Sequence, residues 1–477
     1  MNQKKLGKKL FVSGCMILPF LGCEGLLAET KPLVGENAVN VNASLASPSE
    51  QNNNEQKSPF LSQMENANLG FSDNLNYIAQ TENNQNNDNN NQNLPDNGRP
   101  KINSKKAADL GEKGVFGVNV EQYYYNWNDD LGNNGSQYVA PITFTYNKGN
   151  FDVGLRTAYI NSNLDGVISF NGQKIGTRKG EVGTISDTSL TFTYTFKNLS
   201  TPIRFNLDFN LPTGKATLVG SERNALMDGS LVQQTRFGEG FNVAPGISIT
   251  YPISKNDVIG AGLSYIFRGK FDPNGDVVND EIKPGDEAIA TLQYQHTGQN
   301  MLFIGGLIYT NSGVTKRGDL DYYQKGDRLD ANATLVFAPF QGNTIRIFGR
   351  YYTQDKDNVR NFFTGNLDEE AANSNGNALY LGFDWGLALD KKQKHTIHFL
   401  VDTLNVKANN YDRINDLFNG NRNKWSLGLG YDYNLSSSAR FSIQAKYFNM
   451  TDEANPRTLR EISYNGYNIY GTVNLSF

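Results

Sequence analysis

The chain has 477 residues and a formal net charge of −4, and only 38% of its residues are apolar although it contains 28 Phe, 24 Tyr and 3 Trp. Its polarity excludes a helical membrane protein, which would need several runs of about 20 apolar residues, and the lack of a basic excess argues against nucleic acid as a partner. A chain with so many aromatic residues is not disordered throughout its length. A closed membrane sheet, in which apolar and polar residues alternate, is compatible with all three observations.

Residues 1–28 have the pattern of a secretory signal peptide. Four lysines near the start precede a mostly apolar run and a small-residue cleavage site that ends at Ala28. Lipoprotein processing at Cys15 or Cys23 is the alternative for the same segment. Cleavage after Ala28 would remove both cysteines, so we expect a mature chain with no disulfide, no structural zinc and no thiol catalysis.

Residues 29–110 form a polar tail without a sustained helical or strand period. Between Thr81 and Asn97, 11 of 17 residues are Asn or Gln, and such a stretch cannot bury enough apolar surface to offset the entropy of ordering it. We therefore expect this tail to be disordered. A weakly amphipathic segment, Pro59–Ile78, leaves open a short helix that plugs a pore or contacts a periplasmic partner.

The remaining residues, 111–477, alternate between apolar and polar side chains in repeated short segments. Ile203–Leu211 alternates without a break, and so do Leu190–Phe196, Trp425–Tyr431 and Phe441–Tyr447. Alternation over such lengths is typical of β-strands with one dry face and one wet face. We therefore assign 111–477 to a single all-β domain.

The connections between these strands alternate between short polar turns and longer segments rich in Asn, Asp and Gly. Seven short turns and eight longer segments predict 16 antiparallel strands with both termini on the short-turn side, which is the layout of a transmembrane β-barrel. The strands of a soluble β-sandwich also alternate between apolar and polar residues, but its connections are not expected to alternate regularly between short and long. The turns are Asn147–Asn150, Lys197–Thr201, Ser254–Asp257, Thr297–Asn300, Gln341–Asn343, Asp390–Lys394 and Leu435–Ala439, and the longer segments are 130–137, 163–187, 213–241, 270–285, 312–327, 354–376, 408–422 and 450–464.

The two faces of the strands predict which side meets lipid. Leu379, Leu381, Phe383 and Trp385 share one face of a strand, for example, and their neighbours on the other face are polar or glycine. Because a barrel of this size has a lumen too wide for side chains to fill, we expect water inside and the apolar face outside. Tyrosines near strand ends predict aromatic girdles at the membrane surfaces. They are Tyr123–Tyr125, Tyr251, Tyr294, Tyr309, Tyr351–Tyr352, Tyr431, Tyr433 and Tyr447.

The last strand carries the most specific signal. Tyr467–Phe477 alternates and stops on Phe at the carboxyl terminus. With this ending the chain resembles Gram-negative outer-membrane β-barrel proteins, porin-like and 16-stranded, over roughly Val115 to Phe477. The resemblance implies a location in the cell outer membrane, contact with its lipid, and insertion by a barrel assembly machinery that reads Phe477. It also suggests a homotrimer as one possible assembly.

Charged residues on the polar face are the candidate pore lining. A charge on the lipid face would cost a few kcal/mol at mid-bilayer, so their restriction to the other face carries meaning. Facing rows of opposite charge orient water and polar solutes, whereas pairing that only holds the wall in shape is an equal alternative. The candidates are Arg156, Arg204, Asp208, Arg268, Arg328, Asp330, Arg346, Arg350, Asp384, Arg440 and Lys446.

The longest connection, 213–241, is the candidate constriction loop. In the general porins that the chain resembles, the third long loop folds inward and narrows the channel. Here Arg236–Gly240 is only loosely similar to the acidic-Phe-Gly-Gly turn of that loop and lacks its Pro-Glu, so the inward fold is one of two alternatives. With that fold, the constriction would be lined by Lys215, Glu222, Arg223, Asp228, Arg236 and Glu239.

The residues offer no constellation for catalysis, and no cofactor or metal site is predicted. His395 and His398 are three apart on a strand and face opposite sides, so they cannot chelate one metal together. We therefore expect a passive channel for small hydrophilic solutes or ions. The alternatives are a surface adhesin that acts through loops such as Val359–Asn377, and a transporter for apolar or aromatic compounds, since Leu211–Gly214 is similar to a strand-end motif of putative transporters of that kind.

Overall fold

The structure, a computed structural model, describes residues 114–477 apart from positions 171, 172, 198, 200, 279, 362 and 437. The predicted signal peptide (1–28), the predicted tail (29–110) and its segment Pro59–Ile78 lie outside the described residues. Within the described part of the chain, no helix is long and apolar enough to cross a membrane.

The described residues form 22 β-strands and a 3-10 helix at Gly220–Ala225. The strands are β1 (Val115–Asp129), β2 (Asn134–Lys148), β3 (Phe151–Phe170), β4 (Gln173–Ile185), β5 (Thr188–Phe196), β6 (Ile203–Leu211), β7 (Asn242–Pro252), β8 (Asp257–Arg268), β9 (Ile282–Lys283), β10 (Glu287–Thr297), β11 (Met301–Ser312), β12 (Val314–Arg317), β13 (Leu320–Gln324), β14 (Arg328–Phe337), β15 (Asn343–Gln354), β16 (Asn358–Arg360), β17 (Leu367–Glu369), β18 (Ala378–Ala388), β19 (His395–Val406), β20 (Arg422–Ser436), β21 (Ala439–Asp452) and β22 (Ile462–Ser476).

Seventeen of these segments form one antiparallel sheet that closes on itself. β1 pairs with β2 on one side and with β22 on the other, in register from Gly117 opposite Ser476 to Asp129 opposite Tyr464. β4 and β5 together occupy one strand position of the barrel. Residues Tyr159–Phe170 of β3 pair with β4, and residues Phe151–Arg156 pair with β5. The sheet is therefore a closed barrel of 16 strands, and the predicted fold and strand number are confirmed.

Strand β18 shows how the sequence pattern builds the wall. Leu379, Leu381, Phe383 and Trp385 point outward and are 37–47% exposed, whereas the residues between them face the lumen. Gly382 is required on the inner face, since a Cβ there would lie 2.1 Å from the ring of Phe348. The predicted apolar exterior is thus present, and small inner residues make room for large neighbours.

Two of the predicted long connections are wrong. At 130–137, β1 and β2 run on to Asp129 and Asn134, and the Asp129 carboxylate closes the turn by accepting the backbone N–H groups of Leu131 and Asn133 at 3.0 and 2.8 Å. At 163–187, β3 and β4 form a hairpin instead of an irregular loop. Alternation of apolar and polar residues ceases in these two segments, so the pattern could not show that pairing continues there.

The loops at the end of the barrel opposite Val115 and Phe477 build a second sheet. β9, β12, β13, β16 and β17 come from three successive connections and pair side by side into five strands. Because its strands are only two to five residues long, this sheet depends on the barrel below to hold its loops together.

Three of the tyrosines predicted to form an aromatic girdle point into the barrel instead of outward. Tyr124 and Tyr351 point outward as predicted, but Tyr123, Tyr125 and Tyr352 are buried on the inner face. Consecutive strand residues must point to opposite sides, so a run of tyrosines necessarily places some of them inside.

Candidate pore and its lining

The connection between β6 and β7, called here the third loop (residues 213–241), lies inside the barrel. Its buried apolar residues include Met227, Leu231, Val232 and Phe237. They pack in one cluster with inner-wall residues of β1–β4, β21 and β22, which are Tyr123, Tyr125, Trp127, Val139, Ile160, Leu164, Val182, Phe448, Met450, Ile462, Tyr464 and Tyr470. The expectation that water alone fills the lumen is therefore wrong at this wall, where apolar side chains hold the loop.

Hydrogen bonds fix the middle of the third loop to β2 and β3. Gln137 of β2 donates from Nε2 to the carbonyl of Gln234 at 2.7 Å and accepts the N–H of Gln234 at 2.8 Å. The hydroxyl of Ser162 in β3 donates to the carbonyl of Ala225 at 2.8 Å. All three contacts satisfy backbone groups of the loop that would otherwise be buried without partners.

An arginine of β20 holds the third loop at Asp228. Arg422, at the start of β20, is buried and binds Asp228 at 2.8 Å and the hydroxyl of Ser230 at 3.0 Å through Nη1. Its Nε and Nη2 bind the two oxygens of Asp452 in a bidentate pair. Such a fork fixes both position and orientation, and Lys424 adds a bond from its ammonium group to the carbonyl of Ser230.

The end of the loop is held by a second buried arginine. Arg268 of β8 lies 3.4 Å from Glu239 of the loop and 3.0 Å from Glu287 of β10, and all three side chains are nearly inaccessible to solvent. Asp187 accepts the backbone N–H groups of Glu239 and Gly214, which brings the two ends of the loop together. The loop is thus clamped by charge at both its middle and its end.

The remaining predicted constriction residues make contacts nearer the loop surface. Lys215 pairs with Glu222, and this pair together with the backbone N–H of Val219 lowers the pKa of Glu222. Arg223 binds Asp276 of the next long connection at 3.1 Å. The guanidinium of Arg236 lies 5.9 Å from the ring centre of Phe271. The six predicted residues therefore do not form one cluster, but spread over the two ends and the middle of the loop.

The predicted wall residues all lie on the face opposite the exposed apolar side chains, and most of them are in ion pairs. Asp330 of β14 is fully buried between Arg350 at 2.6 Å and Arg328 at 3.5 Å. Lys446 of β21 reaches Asp402 of β19 at 2.6 Å. The wall between β14 and β21 is therefore a ladder of crossed charges.

His398 extends this ladder towards the short-turn end. Its Nδ1 lies 2.8 Å from Asp384 and its Nε2 lies 3.2 Å from Asp432, and Asp432 also binds Arg440. The imidazole thereby links three neighbouring strands. The spacing of His395 and His398 in the sequence spoke only against a shared metal and gave no sign of this link between strands.

The other predicted wall residues lie outside this ladder. Arg156 binds Glu121 of β1 at 3.0 Å, and Arg204 donates to the hydroxyl of Thr195 at 3.4 Å. Arg346 lies with its guanidinium 4.7 Å from the ring centre of Phe348. Asp208 of β6 is buried opposite Thr191.

Glycines on the inner face were the missed signal for the charged ladder. A Cβ on Gly428 would lie 2.6 Å from Cγ of Lys446, and one on Gly430 would lie 3.1 Å from Cβ of His398. These two positions are left empty so that the long side chains can cross the wall to their carboxylate partners. A glycine opposite an inner-face cation therefore marks a cross-strand pair.

Comparisons with known proteins give structural likeness only. No protein-family model matches the chain, and no curated protein sequence matches it. Among solved structures it is similar to the outer membrane protein OprD from Pseudomonas aeruginosa, with 11% identity over 77% of this chain and 94% of that chain at a TM-score of 0.37. It is also similar to OccAB1 from Acinetobacter baumannii (9% identity, 77% and 97% covered, TM-score 0.37) and to a mutant of the Rh. blastica porin (12% identity, 76% and 100% covered, TM-score 0.28). At such values the likeness carries no argument about function.

Proposed function

We propose that this protein is a channel of the cell outer membrane for passive diffusion of small hydrophilic solutes or ions. The observation that supports this most directly is the sorting of residues across the closed 16-stranded wall. Exposed Leu, Ile, Phe, Tyr and Trp cover the outside, and charges cross-link the inside. A wall of this kind is stable with lipid outside and water inside, because a cation placed on the lipid face at mid-bilayer costs about 2–4 kcal/mol.

The proposed pathway runs along the part of the inner wall that the third loop does not cover. Towards the short-turn end, Thr344, Arg346 and Arg440 are at least partly exposed on the inner face, so water reaches them. In this proposal the partly exposed wall residues Arg346, Arg350, Asp384 and Arg440 line the pathway, and the third loop narrows it from the opposite side. The crossed charges then orient polar solutes without binding them tightly.

The termini support a membrane orientation with the short turns on the periplasmic side. Phe477 is paired in the β1–β22 seam, where its N–H donates to the carbonyl of Phe116 at 2.8 Å, and its side chain is exposed. An exposed terminal ring at the barrel rim is accessible to an assembly factor. We therefore propose Phe477 as the assembly signal.

Conductance of the purified protein in planar bilayers tests the channel. Stepwise current increments are expected, together with a reversal potential in a salt gradient that reports the net charge along the path. A barrel that inserts, shown by heat-modifiable migration on a gel, but passes no current would refute the proposal.

Exposed apolar residues in the long loops favour a second function in surface interaction. Phe363, Ile414 and Val278 are 99%, 91% and 87% exposed and belong to three different loops. Isolated apolar side chains on a surface are ordinary. Because these three are nearly fully exposed and belong to loops of one rim, we propose them as a contact region. Replacing the three by serine should abolish adhesion to a surface or host cell and leave conductance unchanged. Unaltered adhesion in this variant would eliminate the second function.

A further inference from the structure

The short-turn rim of the barrel carries a concentrated positive charge at one place. Between the ends of the barrel strands, the short connections together contain five lysines and one aspartate, and three of the lysines, Lys391, Lys392 and Lys394, lie in the turn between β18 and β19. All three side chains are exposed, and within the described part of the chain none has a carboxylate within 4.0 Å. The turn therefore presents a local net charge of about +2 to its surroundings.

The one aspartate of this turn is used to shape the backbone. Asp390 accepts the N–H of His395 at 3.0 Å and the N–H of Lys392 at 3.2 Å. The turn is also tied to β20, because the N–H of Asn434 donates to the carbonyl of Lys394 at 2.8 Å and its side chain donates to the carbonyl of Gln393 at 3.0 Å. The lysines therefore project from a fixed base.

A layer of polar aromatic side chains lies directly beside the lysines on the outer, lipid-facing side. His395 has the same orientation as the exposed Phe399, and its ring stacks on Tyr433 at 4.7 Å with 18° between the planes. Its Nδ1 lies 2.7 Å from the hydroxyl of Tyr431. Side chains with an apolar body and a polar tip are typical of the boundary between headgroups and hydrocarbon.

Purely apolar side chains follow on the same outer face one step further from the rim. Trp385 stacks on Phe399 with ring centres 5.4 Å apart, and Leu429 is more than half exposed beside them. From the rim inward the surface thus presents ammonium groups, then imidazole and phenol groups with the exposed Leu389 and Leu435 beside them, then hydrocarbon. A phospholipid with an anionic headgroup presents phosphate, then glycerol esters, then acyl chains in the same order.

We propose that the β18–β19 turn and the outer face of β19 and β20 form a binding site for one anionic phospholipid, with Lys391, Lys392 and Lys394 on its phosphate and the His395–Tyr433 stack against its glycerol region. The charge complementarity is specific to this turn, since the other short turns hold at most one lysine each within their connections. A neutral zwitterionic lipid would match the apolar layer but lose most of the contribution of the lysines. The site rests on the membrane location in the proposed function, but not on conduction.

Native mass spectrometry of the full chain, purified in detergent with equal amounts of phosphatidylglycerol and phosphatidylcholine, tests the site. The unmodified protein should retain one phosphatidylglycerol in preference to phosphatidylcholine. The K391Q/K392Q/K394Q variant should lose that preference by roughly tenfold or more, as expected from removing three lysines close to an anionic headgroup. The matched control is K148Q/K197Q/K255Q, which removes the same charge from the end of β2 and from two other short turns of the same rim and should keep the preference.

Each alternative gives a different pattern. Equal loss of preference in both triple variants would mean that diffuse rim charge attracts the lipid, and would overturn the site. Displacement of the retained lipid by inorganic phosphate would show a phosphate site that does not read the lipid, and would overturn it as well. Conductance of the same preparations separates this result from the proposed function: a silent barrel that still retains phosphatidylglycerol refutes the channel and supports the lipid site.

Discussion

The ion pair between Asp228 of the third loop and Arg422 of β20 offers the most direct test of what the loop does. In an Asp228→Asn variant, Arg422 keeps its bidentate pair with Asp452, so no buried charge is left without a partner. In Arg422→Met, both carboxylates lose the guanidinium between them. The first change weakens one contact between loop and wall, and the second breaks a buried ionic group.

The two variants should differ in magnitude as well as in kind. A hydrogen bond to a charged group contributes about 1.5–3 kcal/mol, and breaking a buried ion pair costs about 3–5 kcal/mol. Since about 1.4 kcal/mol corresponds to a tenfold change in an equilibrium, release of the loop should rise roughly 10- to 100-fold in Asp228→Asn and roughly 100- to 4,000-fold in Arg422→Met. The barrel itself should stay folded, because Gln137 and the apolar cluster still hold the loop in both variants.

Single-channel recording measures this release as visits to a level of higher conductance. The frequency of such visits should increase in the order wild type, Asp228→Asn, Arg422→Met. Arg413→Gln is the control, since Arg413 binds Glu453 in an exposed pair worth about 0–1 kcal/mol and should leave the frequency unchanged. If Arg422→Met is folded and shows the wild-type frequency, either this pair does not hold the loop or the loop does not narrow the path.

Three further outcomes are expected. Ile347→Arg places a charge on the outer face of β15 and should reduce the free energy of unfolding in lipid vesicles by about 2–4 kcal/mol, whereas Thr344→Arg on the inner face of the same strand should have little effect; equal losses would contradict the assigned faces. Lys446→Gln removes the partner of Asp402 and should shift the reversal potential in a salt gradient towards cation selectivity, and an unchanged potential would place this pair outside the ion path. Deletion of Phe477 should lower the folded fraction in the outer membrane several-fold while refolding of the purified chain in detergent is unaffected; equal loss in detergent would mean that the residue acts on stability instead of assembly.

The barrel could be predicted because the pattern that encodes it, the alternation of apolar and polar residues, lies within each strand. Each barrel strand has an apolar outer face and an inner face of other character, so alternation in a stretch such as Ile203–Leu211 reports both the strand and its outer face. The short turns then give the strand count. Where this rule stops applying, the prediction failed, as in the hairpin of β3 and β4, whose apolar and polar residues do not alternate regularly.

The inner wall could be predicted only by orientation and not by partner. The alternation of side chains along each strand assigned Asp330, Asp384 and Lys446 to the inner face, but it could not indicate which charges would form pairs. The pairs depend on the register between strands and on glycines such as Gly428 that leave space for a crossing side chain. The register between strands is set by the whole closed sheet, so it cannot be predicted from the sequence of any single strand.

By itself, the sequence determined that this chain forms a closed sheet with an apolar outside and a charged inside, because alternation with lipid on one face is encoded residue by residue. Only the tertiary structure decided that the third loop lies in the lumen. Its contacts join residues far apart in the chain, such as Gln137 with Gln234 across 97 positions and Arg422 with Asp228 across 194. They exist only once the barrel has closed, since closure brings β20–β22 beside β1–β3 and creates the apolar wall against which the loop is buried.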